Sequence, residues 1–117
     1  MVMRDEIAEP LAMGTVSWLS HAQGGRSSGP PTAPVYAANC TFPLGGEEEL
    51  IPGWPATAEE FSALLQRTGE NADGTWECRI GFLAPDLVSE YLRPGAIMLI
   101  MEGPTKVVGQ AIIREVT

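Results

Sequence analysis

The sequence predicts a single, mostly β domain. Three observations carry that expectation. Two runs of strand-forming residues close the chain, 96–101 (Ala-Ile-Met-Leu-Ile-Met) and 107–113 (Val-Val-Gly-Gln-Ala-Ile-Ile), joined by a tight Glu102-Gly103-Pro104-Thr105-Lys106 link that reads as a β-hairpin. Three earlier segments alternate large apolar residues with smaller or polar ones at period two. The 13 Gly and 10 Pro among 117 residues punctuate the chain often enough for many short strands. A chain of this length makes one domain with a core of its own.

In chain order, residues 1–12 mix charges with scattered aliphatics and are expected to be a loose N-terminal arm, leaving 13–117 as the folded domain. The first strand is expected over Met13 to Ser20, with Val16 and Trp18 on one face. His21 to Pro34 holds three Gly and three Pro and should be an extended loop. The second strand, Val35 to Phe42, places Tyr36, Ala38, Cys40 and Phe42 inward. Pro43 to Pro55 is a loop with an acidic run, Glu47 to Glu49, and a brief strand is possible at Leu50 and Ile51.

There the period changes to that of a helix. Thr57-Ala58-Glu59-Glu60 has the form of a capping box, Phe61, Leu64 and Leu65 fall on one helical face, and Gly69 suits a left-handed stop, so a helix is expected over about 57–67. Asp73-Gly74 then turns the chain into a strand, Trp76 to Leu83, with Trp76, Cys78, Ile80 and Phe82 inward. Pro85 and Asp86 open a short irregular or helical passage before Arg93-Pro94-Gly95 leads into the hairpin. Its first strand is apolar throughout, as expected when both faces are covered. In its second, Val107, Gly109, Ala111 and Ile113 form the inward set.

Charge narrows the function. Seven Lys and Arg against fifteen Asp and Glu give a net charge of -8, which disfavours general nucleic-acid binding and favours basic partners. No apolar run has the length of a secretion signal or a membrane span, and the chain reads as cytoplasmic with no membrane partner. Cys40 and Cys78, both on inward faces, read as packed thiols, with a redox pair on neighbouring strands as the sharper alternative. One His and two separated Cys offer no metal-ligand spacing, and His21 lacks an acidic orienter. No cofactor is expected.

The stretch Val16-Ser17-Trp18-Leu19-Ser20-His21-Ala22-Gln23-Gly24-Gly25-Arg26, returning through Ala33-Pro34-Val35-Tyr36, resembles the C-terminal β-barrel, domain III, of elongation factor Tu. Ile100-Met101-Glu102-Gly103 followed by Val108-Gly109 is similar to that domain's closing hairpin, and Phe82-Leu83-Ala84-Pro85 to the strand end before it. The matches keep the family's order over about half the chain. The resemblance implies a closed six-stranded Greek-key barrel, here standing alone and carrying the inserted 57–67 helix. It also implies that Glu102-Gly103 occupies a position that touches transfer RNA. Val35, Met101 and Pro104 depart from the family at contact positions, and no Gly-Lys-Ser or Gly-Lys-Thr phosphate loop is present, so no GTPase activity is expected.

The functional expectation is a non-catalytic binding module for a protein partner, linked to translation through the resemblance. Its candidate contact residues are Gly24, Gly25, Arg26, Trp54, Glu102, Gly103 and Lys106. Arg26 can reach a phosphate or carboxylate, or pin its own loop through backbone carbonyls. Trp54, in Pro-Gly-Trp-Pro, either packs under Phe61 or anchors a partner. The alternatives are a transfer-RNA binder using Arg26, Glu102 and Lys106, and a small enzyme using Cys40 or Cys78.

Overall fold

A computed structural model of the chain describes residues 7, 10–52, 54–55, 58–103 and 106–117. It contains strands β1 (Ala12–Trp18), β2 (Val35–Thr41), β3 (Phe61–Glu70), β4 (Trp76–Phe82), β5 (Ile97–Glu102) and β6 (Lys106–Val116). All pair antiparallel in the order β1-β4-β3-β2-β5-β6, and β6 pairs back onto β1. The sheet is therefore a closed six-stranded barrel. Strands β2, β3 and β4 are successive neighbours, while β1, joined to β2 by a long connection, lies beside β4; this is a Greek key.

Period-two alternation builds the interior. Val16, Cys40, Leu65, Ile80, Ile100 and Ile113, one from each strand, are 0–3% exposed and meet on the axis. On β4 the four residues expected inward, Trp76, Cys78, Ile80 and Phe82, are all buried. Gly14 faces the same interior: an added Cβ would lie 2.9 Å from both the Ile112 carbonyl oxygen and the Ile80 side chain, so that close approach requires glycine.

The helix expected over 57–67 is strand β3 instead. Its burial alternates, Phe61, Ala63 and Leu65 in and Ser62 out, and it pairs with β2 on one side and β4 on the other. Phe61 and Leu65 are four apart and share a face in a helix or a strand, so they could not decide the period; Ala63 in the core and half-buried Leu64 do. Gly69 marks a β-bulge against β4 rather than a helix stop, and the expected cap Thr57 lies outside the described residues. The sole α-helix among the described residues is α1, the single turn Pro85–Val88.

Smaller differences have equally local causes. The brief strand expected at Leu50 and Ile51 is replaced by a 3-10 turn, Glu47–Leu50. Strand β5 is not covered on both faces, since Ile97 is exposed and Leu99 half-buried beside inward Met98 and Ile100. On β6, Gly109, Ala111 and Ile113 point inward as expected, but a bulge opposite Ile100 and Met101 shifts the strand so that Val108 is buried and Val107, also expected inward, is only half-buried. Cys40 and Cys78 are buried on β2 and β4, which are separated by β3 and are not neighbours. Ile7, within the arm expected to be loose, is docked: its side chain is buried and its N–H donates to the Gln66 Oε1 at 2.8 Å.

Candidate functional site

The antiparallel order sends the ends of β1, β3 and β5 and the starts of β2, β4 and β6 to one mouth of the barrel. Six of the seven residues singled out from the sequence lie at this mouth. Arg26 Nε donates to Glu102 Oε2 at 2.7 Å, the Tyr36 hydroxyl donates to the same oxygen at 2.5 Å, and Arg26 Nη1 donates to the Gly29 carbonyl at 2.6 Å. Arg26 thus takes a carboxylate and pins its own loop at once. Its guanidinium also sits 5.3 Å from the centre of the Tyr36 ring, which is edge-on to Trp18, itself edge-on to Trp76. At the far side of that row, Arg67 lies over Trp76 at 4.8 Å.

The loop that delivers Arg26 is shaped by its glycines. Ser20 caps the 3-10 turn His21–Gln23 reciprocally with Gln23, and Gly24 ends it at φ 92°. Gly25 follows with its N–H bonded to the Ser20 carbonyl at 2.8 Å, so close to the preceding backbone that a Cβ would fall 2.1 Å from the Leu19 oxygen. Gly103 turns the β5–β6 hairpin at φ 72°, and exposed Lys106 stands opposite Glu102 in the register. These residues act on one another. Glu102 is held below its ordinary value of 4.5 by the Tyr36 hydroxyl first and the Arg26 guanidinium next, while desolvation and the same carboxylate push the Tyr36 phenol up.

Trp54 is at the opposite mouth. There Phe42 stacks on Tyr91 at 5.2 Å, and Phe61 tilts against both rings at 5.9 and 5.6 Å. Together with half-buried Trp54 these rings wall a cavity of about 230 Å³. Its polar wall is Glu48, Glu49, Glu59 and Thr41. The Glu49 carboxylate receives the backbone N–H groups of Leu44 and Gly45 at 2.6 and 2.9 Å, and Glu59 receives the Tyr91 hydroxyl at 3.3 Å. A second hollow of about 290 Å³ shares Phe42, Leu44 and Tyr91 with the first and continues past Ile97 to Arg93.

Large apolar side chains ring this mouth in the open. Leu50 is 83% exposed, and Leu44, Ile51, Leu83 and Leu87 are each more than half exposed. Of the residues here, the sequence singled out Trp54 and the acidic run Glu47 to Glu49, but none of the other rings. The signal for the others was positional: Phe42 directly follows β2, Phe61 begins β3 and Phe82 ends β4, so once β3 is a strand all three fall at one mouth.

Neither thiol reaches either mouth as a reactive group. Burial pushes Cys40 and Cys78 up to about 12. Exposed His21 lies in the 3-10 turn, and among the described residues no cluster of three His, Cys, Asp or Glu side chains is arranged to hold a metal. Among the described residues no helix is long and apolar enough to cross a membrane. No protein-family model matches the chain, and no curated protein and no solved structure matches it either.

Proposed function

We propose that this barrel is a non-catalytic protein-binding module whose contact surface is the mouth around Trp54. One observation carries the reading: Leu44, Leu50, Ile51, Leu83 and Leu87 are each more than half open to solvent on the connections of the mouth that holds a hollow walled by aromatic rings, whereas the other exposed large apolar residues, Ile97, Ile112 and Val116, are only 42–43% exposed. Apolar surface gathered this way is characteristic of a contact site. The likeness to domain III of elongation factor Tu adds the expectation that the partner belongs to translation. The two unpaired thiols fit a reducing, cytoplasmic setting.

The transfer-RNA alternative gains no support from the geometry, because Arg26 is already engaged by Glu102 and Gly29. The thiol-enzyme alternative has both sulfurs buried. The test is capture of proteins from host lysate, with and without nuclease, by the wild-type chain and by a Leu50→Ser, Ile51→Ser, Leu87→Ser variant that melts as wild type does. A protein retained by the wild type through nuclease treatment and lost with the variant supports the reading. Retention unchanged by the three substitutions, or dependent on RNA, overturns it.

A further inference from the structure

The partner's chemistry can be read from the wall of the cavity and the charge around it. The β2–β3 and β4–β5 connections that build this mouth carry Glu47, Glu48, Glu49, Glu59, Glu60, Asp86 and Glu90, against Arg93 as their one cation. The ion pairs found among the described residues, Arg26–Glu102 and Arg67–Glu70, involve none of these carboxylates. Three of them, Glu48, Glu49 and Glu59, line the cavity itself together with Phe42, Trp54, Phe61 and Tyr91, and Glu49 is already engaged by the Leu44 and Gly45 N–H groups. Among the described residues the Glu59 carboxylate accepts one hydrogen bond, from the Tyr91 hydroxyl at 3.3 Å.

Aromatic rings around a hollow with carboxylates at its wall attract a cation twice, through the ring quadrupoles and through direct charge. An anion would meet the wrong sign at both, and a neutral polar group would lack the charge attraction at both. About 230 Å³ holds one long side chain and no folded element. Leu50, Ile51 and Leu87, exposed on the connections of the same mouth, favour apolar neighbours on either side of that side chain.

Resting on the binding-module reading, we infer that the cavity receives a Lys or Arg side chain from a basic, amphipathic segment of the partner. The stem lies between Trp54 and Phe61, the charged head meets Glu48 and Glu59, and the apolar neighbours of the inserted residue cover the leucine rim.

The test uses three fluorescein-labelled 12-residue peptides of alternating Leu with Lys, Gln or Glu, titrated by anisotropy against the full chain. The variants are Glu48→Gln/Glu59→Gln, Trp54→Ala, and Glu70→Gln at the opposite mouth as a control for net charge, each checked by its melting curve. The Lys peptide should bind at least about tenfold more tightly than the Gln peptide, and the Glu peptide should bind least. Both cavity variants should weaken the Lys peptide by about tenfold, and Glu70→Gln should leave it within about twofold. Equal binding of the Lys and Gln peptides, or equal losses from Glu70→Gln and the cavity variants, overturns the inference. Either result leaves the binding-module reading to the separate capture experiment with the Leu50, Ile51 and Leu87 variant. Failure of all three peptides to bind also overturns it, while a partner captured through the leucine rim would still uphold that reading.

Discussion

Glu102→Gln should cost the fold a definite and pH-dependent amount. In the native barrel one carboxylate oxygen accepts from both Tyr36 and Arg26, at 2.5 and 2.7 Å. Hydrogen bonds to a charged group contribute about 1.5–3 kcal/mol when buried, but the Arg26 and Glu102 side chains are 22% and 35% exposed, so solvent screening lowers the expected loss to about 1–2 kcal/mol. For a chain of 117 residues 1 kcal/mol corresponds to about 4 °C in melting temperature, giving a drop of about 4–8 °C at pH 7. The carboxylate titrates lower in the fold than its ordinary 4.5, chiefly through the Tyr36 hydroxyl. Its contribution is therefore fully present above that ordinary value and disappears as pH falls through the lowered one. Differential scanning fluorimetry of both proteins from pH 8 to pH 3 should show a constant gap down to about pH 5 that closes below it. A variant melting within about 1 °C of wild type at pH 7, or a gap that persists undiminished in acid, would refute the clasp as a source of stability.

Three further outcomes follow from the interior and the Arg26 loop. Ile80→Ala, at a fully buried position on the axis, should lower the unfolding free energy by about 2–5 kcal/mol in urea titration, and a loss below about 1 kcal/mol would contradict its place in the core. Gly25→Ala must move backbone away from the Leu19 oxygen and should cost about 1–3 kcal/mol by thermal melt, whereas an unchanged melt would show that the loop adopts another path. Cys40 and Cys78, pushed up to about 12 by burial, should resist a thiol reagent at pH 8 in the native protein and both react in denaturant; rapid native labelling of either would contradict their packing.

Where the sequence was legible, one physical signal acted alone. Trp76 to Phe82 alternates in residue type because Glu77 and Arg79 on its outer face stay half in water, Gly81 alone being covered by Ile7. Reading residues 57–67 as a helix failed because Phe61 and Leu65 satisfy both periods and the Thr-Ala-Glu-Glu pattern favours a cap. Pairing with β2 and β4, distant in sequence, then decided the outcome. That misreading left five clear strands and the brief one expected at Leu50 and Ile51 for a barrel of six, and β3 is the true sixth. The clasp was half legible: Arg26 and Glu102 stood out, but Tyr36 read simply as an inward aromatic, and a 2.5 Å contact across 66 residues of chain has no local signature. Trp54 was visible for its unusual setting, whereas its cavity became visible only when antiparallel pairing brought three strand ends together.

Because β6 returns to pair with β1, the described sheet has no outermost strand. In an open sheet, the last strand offers unpaired N–H and C=O groups on which another chain can template itself, and polypeptides defend such rims with charges or prolines. This chain has spent little on such defence: β5 carries five consecutive apolar residues, Ile97 to Met101, paired with β6 along their length and with β2 over Leu99 to Met101. Closure is what keeps β6, which carries Val107, Val108, Ala111, Ile112 and Ile113, from offering such a rim beside it. Conditions that unzip β6 from β1 should therefore provoke aggregation well before the rest of the barrel loses its structure.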